Sequence, residues 1–202
     1  MTQIAISSSP VPLTLEMGSL QLSDDELFEL CARNPELRIE RTSKGDLIVM
    51  TPAGGASGHR NAEIVGALRN WAVSDGSGVV FDSSTGFLLP NGAMRAPDAA
   101  WVVRSRLASL SPEAKERFLP LCPDFAVELR SPSDRLADLL AKMQEYRDNG
   151  ALLCWLLDPQ ERRVHVYRPG TEPEVLAQAI EVSGDPELPG FRLDLEPIWA
   201  PL

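Results

Sequence analysis

Histidine, cysteine and aromatic residues are scarce in this 202-residue chain, with two His, three Cys and 6% aromatics. The cysteines (Cys31, Cys122, Cys154) are odd in number and far apart. No CxxC pair and no His/Cys cluster is present, which excludes a zinc site of recognisable spacing. A reduced, cytoplasmic protein with three small buried hydrophobes is the reading that follows. The longest strongly apolar run, ALLCWLL, is too short for a membrane span. The first residues, MTQIAISSSPVPLTLEM, lack a basic region and a continuous apolar stretch, so they do not read as a signal peptide. The glycine-rich TPAGGASG lacks the GxxxxGK[ST] spacing, which excludes a phosphate loop. Repeats and low-complexity tracts are missing too. Trp71, Trp101, Trp155 and Trp199 are scattered at core-like positions and make no base-stacking platform.

Positive charge is also in deficit. Nineteen Lys and Arg face 29 Asp and Glu, a net charge of -10 and a pI near 4.7. Such a surface repels polyanions on average and excludes a general DNA coater. A small cleft with local basic residues or a metal remains open. What is present is an ordinary soluble composition, 44% hydrophobic and 24% charged, long enough for one well-cored domain. Residues 1–20 read as a poorly ordered or surface-lying arm and 21–202 as a single domain.

Ser23 with Glu26 fits a capping box that opens a short helix. LRIER and DLIVM flank TSKG as a hairpin, with Gly45 free for positive φ. HRNAEIVGALRNWA has helical spacing, with Ile64, Val65, Leu68 and Trp71 on one side. A β-rich stretch follows: GVVF, TGFLLP, an Asn91-Gly92 turn and MRAPDAAWVVR. FAVEL is a strand, and a helix over about 134–149, capped by Ser131 or Ser133, is stopped by Gly150. LLCWLLD and RRVHVYR form another hairpin, and the tail packs back through Phe191, Leu193 and Trp199. The order predicts an α/β or α+β domain with one central mixed sheet flanked by helices, preceded by an N-terminal helix and hairpin.

The residues with chemistry lie in that middle section. In FAVELR, Phe125, Val127 and Leu129 share the core face, whereas Ala126, Glu128 and Arg130 share the other. Glu128 therefore points to a face that could open to a cleft, with Arg130 as near neighbour. Asp98 follows Pro97, which suits a strand entrance because it has no N–H to donate. If the two strands are neighbours, Asp98 and Glu128 fall within metal-bridging distance. Two close carboxylates need a cation or proton between them, and hard ions such as magnesium favour oxygen ligands. Lys142 flanks the apolar stripe Leu136, Leu139, Leu140 and Met143, four residues before Tyr146. It can lay its stem on apolar surface and send its ammonium toward the sheet. The structural alternative pairs the two acids with Arg130 and Arg95, and Lys142 with Asp138 or Glu145.

PD at 97–98, E-x-R at 128–130 running into SPSD, and KMQEYRDNG resemble the PD-(D/E)XK nuclease superfamily. More narrowly the chain resembles the Uma-two family of restriction-endonuclease-like proteins. That resemblance extends to VMTP, the helix beginning at His59, VFDSSTGFLLPNGAMRAPDAAWV, WLLDP, VYRPG and LPGF. It implies a restriction-endonuclease-like core and magnesium-dependent phosphodiester hydrolysis, with manganese able to substitute. Asp98, Glu128 and the Leu129 backbone carbonyl would be metal ligands. Where the superfamily's motif has lysine, this chain has Arg130, which stays protonated and cannot be a general base but can clamp a phosphate. The resemblance makes Lys142 the migrated lysine, supported by Tyr146, and gives Glu63 a place as a further metal or water ligand. His59 reads as a surface or capping residue and His165 as a cross-strand neighbour. The expected partner is nucleic acid, DNA first. It would be held by a basic rim drawn from Arg60, Arg95, Arg104, Arg106, Arg135 and Arg147, and a homodimer would cut both strands. The competing expectation is a catalytically inactive module that binds nucleic acid or a protein.

Overall fold

The computed structural model describes residues 12–50 and 52–200. Local signals set the first elements. After β1 (Leu13–Leu15), Ser23 caps α1 (Asp24–Arg33). Its hydroxyl accepts from the Glu26 N–H, and the Glu26 carboxylate accepts from the Ser23 N–H, so two orphan amides are satisfied reciprocally. β2 (Arg38–Arg41) and β3 (Leu47–Met50) form the expected hairpin, with Gly45 at φ +94°. α2 (Gly55–Asp75) starts earlier than expected, inside the glycine-rich stretch read as a loop. Then come β4 (Gly78–Asp82), β5 (Phe87–Leu88), β6 (Met94–Arg95) and β7 (Ala99–Val103). The short α3 (Arg104–Ala108) and α4 (Pro112–Lys115) precede β8 (Phe125–Leu129).

α5 (Leu136–Asp148) starts after Arg135, with no side-chain cap. Neither expected serine caps it: the Ser131 and Ser133 hydroxyls bond each other at 3.0 Å, and the Ser131 N–H goes to the Asp134 carboxylate. Gly150, at φ +102°, lets the chain turn into β9 (Leu153–Asp158). The remaining elements are β10 (Arg163–Tyr167), β11 (Glu174–Ala177), β12 (Glu181–Ser183), β13 (Arg192–Asp194) and α6 (Glu196–Trp199).

The central sheet is mixed and six-stranded, in the order β11-β10-β9-β8-β7-β4. Only β8 and β9 run parallel, and α5 is the crossover that joins them. The sequence predicted one sheet. The structure adds a five-stranded antiparallel sheet, β1-β3-β2-β6-β5, and a two-stranded ribbon, β12-β13. Of the arm expected over 1–20, residues 1–11 lie outside the described residues; Leu13–Leu15 pair with β3, side chains exposed.

Strand alternation splits the core into two layers. Phe125, Val127 and Leu129 pack with Ile64, Leu68 and Ala72 of α2, and Phe191, Leu193 and Ile198 close over them. Ala126 packs on the other face with Ala100, Cys154, Leu156 and the α5 residues Met143 and Tyr146. All five residues of β8 are therefore buried. The face carrying Glu128 lies beneath α5, a correction to the open cleft expected there. A third cluster, Leu27, Ile39, Leu47 and Met94, fastens the first sheet to α1. Three residues, Ala96, Pro97 and Asp98, cross from β6 in one sheet to β7 in the other.

Gly78 shows how closely the central sheet is packed. A Cβ there would lie 2.1 Å from Trp101 Cε2. Gly78→Ala is expected to cost about 1–3 kcal/mol through overpacking. Urea unfolding measures it, and a change under about 0.5 kcal/mol would contradict the close approach.

Candidate active site

The inter-sheet connector builds one wall. Extending the Ala99↔Val127 register by two residues puts Pro97 opposite Leu129. Pro97 has no N–H, so the antiparallel ladder stops there. The Leu129 N–H donates instead to Asp98 Oδ2 at 2.9 Å. In a strand the N–H and C=O of one residue point to the same side. The Leu129 carbonyl thus points the same way, and Pro97 offers it no donor. Asp98 Oδ1 accepts from Asn61 Nδ2 of α2 at 3.1 Å and lies 3.6 Å from Arg38 Nη1 of β2.

Glu128 builds the other wall. Its Oε1 accepts from the Tyr146 hydroxyl at 2.9 Å and lies 2.7 Å from Lys142 Nζ. Those two α5 residues, one turn apart, share the face turned to the sheet. Among the described residues Glu128 Oε2 takes no hydrogen bond. Lys142 Nζ also sits 2.8 Å from Glu40 Oε1, brought by β2. Glu40 accepts from Arg95 Nη1 at 3.1 Å and from the Ala96 N–H at 3.0 Å. Arg95 Nε reaches Glu145 at 2.5 Å. The acids are deeply placed: Glu40, Glu128 and Asp98 are 2%, 4% and 9% exposed.

Four carboxylates (Asp98, Glu128, Glu40, Glu145) thus face three cations (Arg38, Arg95, Lys142), leaving one negative charge over. Glu128 carries the imbalance. Burial raises its carboxyl most and Lys142 opposes it, but Asp98 and Glu40 add to the rise, and it is pushed up to about 7. Burial also works against Glu40, yet Lys142 and Arg95 outweigh it and bring that carboxyl down to about 2. Lys142 is held charged, because Glu128 and Glu40 outweigh its burial.

Glu128 therefore binds its proton more tightly folded, at about 7, than unfolded near the ordinary 4.5. The resulting stabilisation is complete below the unfolded value and is lost as pH rises through about 7, by at most about 3 kcal/mol. Denaturant unfolding in chelator at pH 5 and 7.5 is expected to show this loss for wild type and not for Glu128→Gln. Equal slopes for the two proteins would refute it.

Asp98, Glu128, Lys142 and Tyr146 come together as a set, with the Leu129 carbonyl beside them. Glu63 does not join them. It faces His59 at 4.0 Å, both about half exposed, and the residue α2 sends to the cluster is Asn61. Arg130 turns to the fully buried Asp158 at 2.8 Å, not to Glu128. The parallel β8–β9 pairing places those two side chains next to each other. Neither Asp138 nor Glu145 pairs with Lys142, since Asp138 lies near Arg135 and Glu145 takes Arg95.

Of the arginines expected to form a basic rim, Arg95 lies inside the cluster and Arg106 pairs with Asp124. Arg60, Arg104 and Arg147 donate to neutral backbone carbonyls and keep their charge, and exposed Arg135 lies 3.8 Å from Asp138. His165 is buried in β10 with no partner at Nε2. Sequence reasoning missed Glu40, Arg38 and Asn61. No clear signal marked them: in LRIER, Arg38 and Glu40 alternate with Leu37 and Ile39 and read as the solvent face of an ordinary strand.

Among the described residues no group of three or more His, Cys, Asp or Glu is arranged to hold a metal. Asp98, Glu128 with an oxygen free of hydrogen bonds among the described residues, and the Leu129 carbonyl are hard oxygen donors. They suit an ion such as magnesium, which takes one or two carboxylates and keeps several waters.

No curated protein matches the chain. Among solved structures it resembles that of "a putative nuclease belonging to DUF820 from Anabaena variabilis ATCC 29413". Identity is 20% with a TM-score of 0.72, covering 88% of this chain and 97% of that one, which establishes a shared fold. The Uma2 (Uma-two) family model, described as "Putative restriction endonuclease", matches residues 24–196, and the chain belongs to that family.

Proposed function

We propose that the protein is a magnesium-dependent endonuclease that hydrolyses phosphodiester bonds of nucleic acid, with DNA as substrate and manganese able to replace magnesium. The observation that carries this reading is the convergence of Asp98, Glu128 and Lys142 from a connector, a strand and a helix into one buried cluster. Asp98, Glu128 and the Leu129 carbonyl would hold the ion. When bound, magnesium supplies neutralisation of charge on the phosphate and a lowered pKa for an attacking water. Glu128 must give up its proton to serve as a ligand, so binding favours pH above about 7. The Lys142 ammonium, 2.7 Å from Glu128, orients the water and offsets negative charge developing on the phosphate. Tyr146 fixes the Glu128 carboxylate, and Glu40 fixes the lysine. A homodimer would supply two such sites for the two strands of a duplex. No helix among the described residues is long and apolar enough to cross a membrane.

Plasmid, linear duplex and single-stranded DNA offered with magnesium, manganese or chelator test the reading. Wild type is expected to cut only with metal, and Asp98→Ala not at all. Cutting that survives chelation, or that Asp98→Ala leaves intact, would overturn it. One observation favours a second reading, a non-catalytic binding module. Every cation in the cluster already faces a carboxylate, so the cluster also closes as an ion-pair network. Calorimetry with no magnesium or manganese binding at millimolar concentration would select that alternative.

A further inference from the structure

We infer that Arg38 is the phosphate-gripping residue of this site, contacting a non-bridging oxygen of the substrate beside the Asp98–Glu128 pair. This rests on the nuclease reading and assigns the recognition of the phosphodiester anion, which Arg130 was expected to perform. Arg130 is excluded because its guanidinium is tied to Asp158 at 2.8 Å, with 17% of the side chain exposed. Arg95 and Lys142 are excluded because each is bound to two carboxylates and only 10% and 12% exposed.

Arg38 differs on each count. Its side chain is 32% exposed, the most open of the cluster's cations. Its one hydrogen bond runs from Nη2 to the Ala96 carbonyl at 2.6 Å. That bond fixes the guanidinium on the connector that carries Asp98. Nη1 stands 3.6 Å from Asp98 Oδ1, too far for a hydrogen bond. Nε is buried and, like Arg130 Nε, has no partner among the described residues, so the hydrogen-bonding capacity of the Arg38 guanidinium is not used up within them. With Nη2 held by Ala96, Nη1 is the nitrogen left to meet a phosphate oxygen. The charge count agrees. A divalent ion turns the cluster's surplus from one negative to one positive, and an incoming phosphodiester carries one negative charge.

The test pairs Arg38→Gln and Arg38→Lys with wild type and Asp98→Ala. Binding of a fluorescent DNA duplex is measured in calcium over a salt series, beside cleavage in magnesium and urea unfolding. Arg38→Gln is expected to lower the slope of log affinity against log salt by about 0.9, the loss of one phosphate contact. It should lower the cleavage rate on the order of 100-fold. Arg38→Lys should keep the salt slope, since its charge persists, and recover cleavage only in part because the planar guanidinium anchored on Ala96 is gone. If Arg38→Gln does not fold, Arg38→Lys decides: cleavage equal to wild type overturns the inference. An unchanged slope with near-normal cleavage by Arg38→Gln, while Asp98→Ala is inactive, sinks Arg38 alone and leaves the nuclease reading standing. If wild type cuts nothing, the nuclease reading falls, and an unchanged slope overturns Arg38 as well.

Discussion

Glu128→Ala is expected to abolish metal-dependent cleavage, a loss on the order of 1000-fold or more, while the protein stays folded. Both halves follow from the contacts of one carboxylate. Oε2 is the free donor facing the proposed ion, and no neighbouring acid replaces it, because Glu40 is committed to Arg95, Ala96 and Lys142. The fold should survive because Lys142 keeps Glu40 at 2.8 Å and so does not become an unpaired buried charge. The main structural cost is the Tyr146 hydroxyl, which loses its acceptor, at about 1–3 kcal/mol. Glu128→Gln keeps an oxygen for Tyr146 and should be more stable than the alanine variant, yet equally inactive. Plasmid cleavage beside urea unfolding checks both variants. Wild-type activity in either one would remove Glu128 from the metal site.

Lys142→Met should have the largest effect on stability, a loss of about 3–5 kcal/mol. The lysine is the one cation shared by Glu40 and Glu128, at 2.8 and 2.7 Å, in an almost water-free setting. Without it two buried carboxylates face each other and Glu128 must stay protonated. Adding Glu40→Gln removes one of those charges, so the double variant should regain most of the stability. It should not regain cleavage, since the ammonium that orients water is still missing. A double-mutant cycle thus separates the structural role of the lysine from its chemical one. If Lys142→Met were as stable as wild type, the shared ion pair would be of no consequence. If it cleaved normally, the catalytic assignment would fail.

What the sequence made legible was governed by local periodicity. Alternation in FAVELR separated Glu128 from Phe125 and Val127, and a four-residue step linked Lys142 to Tyr146. The proline before Asp98 marked the place where the ladder ends. Long-range partners were not legible. Glu40 meets a lysine 102 residues away, across two sheets, and nothing in LRIER says which helix will cover it. The Arg130–Asp158 pair needs the parallel register of β8 on β9, which intervening sequence does not reveal. The second sheet was hidden because β5 and β6 are two residues each, too short for an alternation to show. Glycines at 54 and 55 read as loop from their poor intrinsic helicity, yet α2 begins there.

The chain distances between the cluster's partners also imply an order of assembly. Tyr146 and Glu128 are 18 residues apart and Asp98 and Leu129 are 31 apart, whereas Glu40 and Lys142 are 102 apart. Closing the widest loop costs the most chain entropy, and long-range contacts form late. On the ribosome β2 emerges well before α5, so Glu40 waits for Lys142 through about half of synthesis. A chain extended past residue 128 but short of 142 therefore carries both acids proposed to face the ion without the ammonium proposed to let them act. On the proposed function, the capacity to cut a phosphodiester would arrive only once α5 has closed over β8.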